Sequence, residues 1–388
     1  MLLRAAAPGS VPRRMTQGID LSVLSAPAQR ILAPGTPAKL KEMAARGIAP
    51  GVKPAELLVV IVALSGGDEP SVKESAEKTL GALPEPLLKA ALDADLPGPT
   101  IDGLARRLGD RPEAIAKLVR MPQVLLETVE ELARSGSEAI TEIVATNEER
   151  LLSHPRLVEL LYFNKHTRAS TVDRLVELMT RHGIELHGIP AWREVATAIQ
   201  GELIAEPSEE ALPDDLAYQE AAALAERLAH EADADEDTHA ETDEGVEELK
   251  NKFLPLYQKL AEMPVGQRIR RAQLGTREER MLLVRDSNRI VATAAVKSPG
   301  MQESEVVLIS RNRNLSDDVL RVIASTPEWL RSYTVKRNLV ENPKTPVMIS
   351  TRLVEHLREA DLRNVARSKN VTGPVKEAAR RHLDRRKR

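Results

Sequence analysis

Between residues 37 and 203 the chain is cut into amphipathic stretches of roughly 8 to 13 residues, each closed by glycine, proline or a Ser-Gly pair. Leu40 to Arg46 stops at Gly47, Ser71 to Leu80 at Gly81, and Glu85 to Leu92 ahead of Pro97-Gly98-Pro99. Ile101 to Leu108 stops at Gly109-Asp110, Pro112 to Val119 ahead of Pro122, and Val124 to Ala133 at Ser135-Gly136. Within a stretch the apolar residues fall three and four apart, as in Leu125, Val129 and Leu132, which is the spacing of one helix face. Helices this short are marginal in water by themselves, so each must bury its stripe against a neighbour. This predicts an all-α fold of many small stacked helices.

The kind of apolar residue agrees. Hydrophobic residues make up 42% of the 388-residue chain but aromatics only 2%. Leu, Val and Ala suit thin layers, whereas thick cores rely on aromatic bulk. The few aromatics, Tyr162, Phe163, Trp192, Phe253, Tyr257, Trp329 and Tyr333, are expected to pack in helical layers; Trp192 or Trp329 could instead anchor a partner in a groove. The longest apolar run, Leu57 to Leu64, is far shorter than the ~20 residues of a membrane span. It reads as a buried helix entered at Pro54 and ended by Gly66-Gly67. The start, Met1-Leu-Leu-Arg4 followed by Pro8, Pro12, Arg13 and Arg14, lacks the apolar core of an export signal, and Met15 is an alternative first residue. There are no cysteines, hence no disulfides, thiolate metal sites or cysteine nucleophiles. A cytoplasmic location is expected.

Charge divides the chain. Residues 201–250 hold 18 acidic and 2 basic residues, and 251–388 hold 29 basic and 15 acidic. Five regions follow: a flexible N-terminal tail over 1–36, a helical-repeat block over 37–203, an acidic linker over 204–248, a second helical-repeat block over 249–384, and a basic tail over 385–388. Within the linker, the Ala-rich Leu216 to Leu228 is a candidate helix. Asp233, Asp235, Asp237, Glu241 and Glu244 fall at calcium-loop spacing, but Thr238 stands where the turn needs glycine, so the segment reads as a solvated spacer. Tethered beside a basic block, such a spacer is expected to lie transiently over it and compete with polyanions.

A signature recurs. Ile309-Ser-Arg-Asn-Arg-Asn-Leu-Ser316 parallels Val365-Ala-Arg-Ser-Lys-Asn-Val-Thr372; Asn342-Pro-Lys-Thr-Pro346, Ser298-Pro-Gly-Met301 and Asn164-Lys-His-Thr-Arg168 are further copies. Asn312, Asn342 and Ser368 lie 30 and 26 residues apart, the length of a helix-turn-helix repeat. The signature is punctuation: Asn or Ser closes one helix or turns left-handed, Pro343 prevents continuation, and Thr345 or Ser316 can cap the next helix. Asn164, Asn312, Asn342, Pro343, Thr345 and Ser368 are therefore assigned a structural role in the turns.

The Asn342-Pro-Lys-Thr-Pro346 turn between Leu/Val helices resembles the leucine-rich-repeat-variant and HEAT-like α-solenoids. Together with Arg285-Asp-Ser-Asn-Arg-Ile-Val291 and Asn164-Lys-His-Thr-Arg168, it resembles an uncharacterised bacterial family of helical-repeat proteins over residues 40–200 and 250–384. The resemblance implies an α-solenoid of short helical hairpins, in two blocks joined by the acidic linker, and carries no active site.

No catalytic constellation stands out. Ser65-Gly66-Gly67-Asp68 lacks the lysine of a phosphate loop, and neither a Gly-x-Ser-x-Gly elbow nor a His-Glu-x-x-His helix occurs. His182 and His187 flank a helix end at Gly183 and read as surface histidines. No catalytic residue, cofactor or metal is assigned. A candidate basic binding surface comprises Arg268, Arg270, Arg271, Arg311, Arg313, Arg331, Lys336, Arg337, Arg367 and Lys369. The expected function is a non-enzymatic scaffold or adaptor that holds a protein or peptide along a solenoid surface. The alternative is binding of nucleic acid or another anionic surface through the basic block; an enzyme with an unrecognised site ranks third.

Overall fold

The computed structural model describes residues 21–200, 204, 206–208, 210–231, 237–241 and 247–387. It is all-α, with 68% helix in 24 α-helices and 1% strand. Among the described residues no helix is long and apolar enough to cross a membrane. The chain divides into two compact units, one up to Thr167 and one from Arg168.

The first unit holds α1 (Ala26–Leu32), α2 (Ala38–Ala45), α3 (Pro54–Ser65), α4 (Pro70–Gly81), α5 (Glu85–Leu92), α6 (Gly98–Ala105), α7 (Pro112–Val119), α8 (Leu126–Ser135), α9 (Glu138–Ala145), α10 (Glu148–Ser153) and α11 (Arg156–Phe163). Proline occupies the first turn of α1 and of α3 to α7, where its missing N–H costs nothing and its fixed φ favours entry into the helix. The apolar run forms α3, buried from Leu57 to Ser65 and packed by α1, α2, α4, α5 and α6. Helices beyond it contact the next but one in sequence: α5 with α7, α6 with α8, α7 with α9 and α9 with α11.

The second unit holds α12 (Ala169–Arg181), α13 (Trp192–Ile199), α14 (Pro213–Glu231), strands β1 (His239–Glu241) and β2 (Glu247–Leu249), then α15 (Leu254–Glu262), α16 (Val265–Leu274), α17 (Arg277–Leu283), α18 (Arg289–Val296), α19 (Glu303–Arg311), α20 (Asp317–Ser325), α21 (Tyr333–Glu341), α22 (Val347–Leu353), α23 (Glu359–Arg367) and α24 (Gly373–Lys387). The strands form an antiparallel hairpin with Ala240 opposite Glu248. The alternating contact pattern recurs here: α16 with α18 and α18 with α20 in one row, α17 with α19, α19 with α21 and α21 with α23 in another.

Gly47 and Gly183 end α2 and α12 at φ of +85° and +68°, where an L side chain would be strained. In both, the glycine N–H and the one after it bond back into the last turn: Gly183 to Thr180 and Ile184 to Met179, Gly47 to Ala44 and Ile48 to Met43.

Of the two roles expected of the repeat-turn residues, closing a helix or turning left-handed, the structure shows the first. Asn164, Asn312, Asn342 and Ser368 each close a helix in extended conformation, with φ between −62° and −81° and ψ between 117° and 135°. The reason is a side-chain bond available only in that conformation: Asn164 Oδ1 accepts from the N–H of His166 at 2.9 Å, Asn312 Oδ1 from Asn314 at 2.7 Å, Asn342 Oδ1 from Lys344 at 3.0 Å, and Ser368 Oγ from Asn370 at 3.2 Å. The next helices are not capped by the hydroxyls foreseen. Ser316 stands at the start of α20 without a side-chain bond to it, and α22 begins beyond Thr345, with Pro346 at its cap. Thr345 instead donates its backbone N–H to the Asn342 carbonyl at 3.1 Å, closing the turn around Pro343.

The asparagine amides then reach into the preceding turn of the same unit. Asn164 Nδ2 donates to the carbonyls of Ala133 and Gly136, both at 3.0 Å, and Asn342 Nδ2 to those of Ser310 at 3.0 Å and Asn312 at 2.7 Å. Ser298 does a smaller version, its hydroxyl donating to the Gln273 carbonyl at 2.9 Å. Changing Asn342 to Ala strands two buried carbonyls and the Lys344 N–H, at about 1–3 kcal/mol for each group that water cannot reach. The expected result in a urea titration is a lower midpoint with the slope unchanged; an unshifted midpoint would mean the turn carries no stability.

Candidate interaction surface

The ten basic residues picked out as a surface do not form one. Arg270 and Arg271 are buried in α16, and Arg268 is largely covered. Arg271 forms a two-pronged pair with Glu279 of α17, Nε to Oε1 at 2.6 Å and Nη2 to Oε2 at 2.5 Å. Burial alone would lower the Arg271 guanidinium; the Glu279 carboxylate and Tyr218 outweigh it and hold Arg271 above its ordinary value. Arg268 pairs with Asp286 at 2.6 Å. Arg280 grips Glu305 of α19 in the same forked way, at 2.9 and 2.8 Å, and donates to the Gly275 carbonyl at 2.8 Å. Glu279 and Glu305, both 0% exposed, also accept the backbone N–H of Thr276 and Gln302, which precede α17 and α19. The turns before α17 and α19 therefore use one device: a buried glutamate caps its own helix and holds an arginine from an earlier helix.

The acidic stretch lies on this cluster. Its helix α14 packs on α12, α15 and α17 through a stripe of Tyr218, Ala221, Ala225 and Leu228, spaced three and four apart. The Tyr218 ring sits under Arg270 and Arg271, with guanidinium carbons 5.2 and 5.0 Å from its centre. Buried Asp215 accepts from the backbone and hydroxyl of Ser170, both at 2.8 Å, and from the Leu212 N–H at 3.0 Å. Asp237, a member of the calcium-like spacing, is taken by Arg285 at 3.1 Å; Asp233, Asp235 and Glu244 lie outside the described residues. The segment 204–248 thus contains a helix packed into the second unit and is not a solvated spacer throughout, although residues 206–208 and 210 ahead of the helix are exposed. The unit boundary falls earlier, at Thr167 and Arg168, inside one copy of the signature. Apart from buried Asp215, the carboxylates of α14 are exposed, and the charge count hid the small apolar stripe behind them.

The remaining candidates do lie outside. Arg311, Arg313, Arg331, Arg367 and Lys369 are exposed, Lys336 and Arg337 half-buried, and none forms an ion pair among the described residues. Among the aromatics, Tyr162, Trp192 and Phe253 are buried as expected; Tyr257 is instead half exposed because it faces outward from α15, and Trp329 is half-buried.

A groove that the sequence reading missed runs between α20 and α22. It measures about 510 Å³ and is lined by Arg321, Ala324 and Ser325 of α20, Pro327 and Leu330 of the connection, and Ile349 and Arg352 of α22. At the start of α22, next to Ile349 in sequence, Val347 and Met348 are exposed, the latter at 83%. The legible signal was the helix start Pro346-Val-Met-Ile349, three large apolar residues in a row where a single stripe needs fewer. Grooves of a different character lie in the first unit. One, about 400 Å³ beside α6 and α8, contains Asp102, whose carboxylate already holds Arg106 at 2.9 Å and Thr128 at 3.0 Å and keeps the Arg106 guanidinium above its usual range. The other, about 670 Å³ between α2 and α4, mixes Glu42, Glu74, Arg46 and Lys78. The chain matches no protein-family model, no curated protein and no solved structure.

Proposed function

We propose that the chain is a non-enzymatic scaffold or adaptor that holds a protein or peptide partner on a HEAT-like α-solenoid surface. The observation that carries this reading is the α20–α22 groove, with an apolar floor and two arginines, together with the exposed Val347 and Met348 on the same α22 helix. Exposed apolar surface framed by polar groups costs solubility and is a mark of interaction sites. The next-but-one contacts of the helices and the recurring asparagine turns support a solenoid, because each repeat then needs only its neighbours to bury its stripe. The test is chemical cross-linking of the full chain in cell extract, followed by titration of the captured partner in purified form. Saturable binding with cross-links on α20 or α22 is the expected result; a partner-free chain, or turnover of a small molecule that explains its role, would overturn it.

The second reading, binding of nucleic acid or another polyanion, is favoured by the unpaired Arg311, Arg313, Arg331, Arg367 and Lys369. It loses Arg268, Arg270 and Arg271, which their intramolecular carboxylate and aromatic partners occupy. Polyanion binding would weaken steeply with added salt; binding dominated by apolar groove contacts would not.

A further inference from the structure

We propose that the α20–α22 groove receives an acidic peptide segment of a partner protein, seated by a large apolar side chain and clamped by Arg321 and Arg352. This rests on the scaffold reading and names the chemistry of its partner.

Three observations converge. The first is charge complementarity: the seven lining residues include two guanidinium groups and no carboxylate. Arg352 is exposed and has no ion pair among the described residues. Arg321 is held only by Asp317, one turn away on the same helix, at 3.0 Å with both side chains more than half exposed. Such a surface bridge contributes little and is readily exchanged for an incoming carboxylate. A guanidinium also presents a planar fork that matches a carboxylate with two bonds, so the two arginines can fix the direction of a chain as well as attract it.

The second is the floor. Ala324, Pro327, Leu330 and Ile349 form an apolar base alongside the arginines, and Met348, next to Ile349 on α22, is the most exposed large apolar residue among the described residues. Methionine is flexible and polarisable, and adapts to whichever apolar side chain it meets. A partner that offered charge alone would leave this base wet.

The third separates a peptide from a nucleic acid. The lining has no aromatic ring on which a base could stack, and a phosphate backbone has no apolar group to fill the floor. The unpaired cations at the repeat turns offer phosphates a better site than the groove does.

The experiment uses the full chain and a phage-displayed library of random twelve-residue peptides. Peptides enriched on the wild-type protein should carry Asp or Glu around a Leu, Ile, Phe or Met. Synthetic copies should lose about tenfold or more in affinity, some 1.4 kcal/mol or more by the standard conversion, with Arg321→Glu/Arg352→Glu. They should lose affinity with Ile349→Asn as well. All three positions are at least partly exposed, and circular dichroism melts of the variants verify that the fold is intact. A 20-base-pair duplex DNA serves as the competing probe. Enriched peptides without acidic residues, or equal binding to wild type and both variants, would overturn the acidic clamp while leaving a scaffold acting through another face. DNA binding that falls with the arginine variant but ignores Ile349→Asn would assign the groove to phosphates instead. Failure to enrich any peptide overturns the proposal, and the cross-linking experiment then decides separately whether a partner exists.

Discussion

Replacing Glu279 by leucine is expected to destabilise the protein by about 3–5 kcal/mol, because it leaves Arg271 buried without its counter-charge. The carboxylate has three jobs at once. It takes both prongs of Arg271, accepts the Thr276 N–H at the start of α17, and feels the positive charge of Arg280 nearby. With the carboxylate gone, Arg271 remains between α16, α17 and the Tyr218 ring, where water cannot replace what was lost. The informative control is the double variant Arg271→Leu/Glu279→Leu. Removing both partners eliminates the unpaired charge, and buried pairs replaced by apolar residues are often neutral in stability. The double variant should therefore recover most of the loss, leaving a deficit of about 1 kcal/mol for the missing cap at Thr276. Urea unfolding of the wild type and both variants measures these terms. A single-variant loss below about 1 kcal/mol, the range of exposed pairs, would show that the pair opens to solvent and that α14 does not seal it.

That cluster also marks where sequence reasoning stops. Helices could be read because their signals are local: Pro54 entering and Gly66 leaving a run of large apolar residues define α3 without reference to anything else. The turns could be read as repeats for the same reason, since Asn342 and Asn312 bond to N–H groups two residues on. What the Asn164 and Asn342 amides donate to, 28 to 32 residues upstream, could not. Arg270 and Arg271 looked like surface cations because arginine is seldom buried unpaired, and their partners, Glu279 and Tyr218, lie on other helices. The acidic stretch misled in the opposite sense. Its carboxylates dominate the composition, yet a short stripe of Tyr218, Ala221, Ala225 and Leu228 docks a helix whose outer face is charged. The groove was invisible for a related reason: Arg321 and Ile349 are unremarkable residues until α20 and α22 lie side by side with the 327–330 connection between them.

The repeat layers themselves are tested by Leu339→Ala and Leu353→Ala, each expected to cost about 2–5 kcal/mol. Leu339 projects from α21 and Leu353 from α22, the two helices that flank the Asn342 turn, and they are 0% and 2% exposed. Truncation to alanine removes apolar burial and opens a cavity, and the price depends on how far the surroundings can collapse into it. A thin layer has little material to shift. Leu339 sits near Asn338, whose amide is tied to the Val307 carbonyl at 3.0 Å and the Ser310 hydroxyl at 3.1 Å, so α21 is held in place against α19 and cannot relax inward. Leu353 lies at the end of α22, which packs mainly on α21, α24 and the short turn at Val354–His356. Leu339→Ala should therefore fall at the upper end of the range and Leu353→Ala at the lower. If the second unit unfolds as one cooperative body, both variants should shift a single thermal transition. If its repeats uncouple, Leu353→Ala should melt the α22–α24 end first and split the transition in two, which calorimetry resolves directly. Melts identical to wild type for both variants would show that neither leucine faces a packed layer.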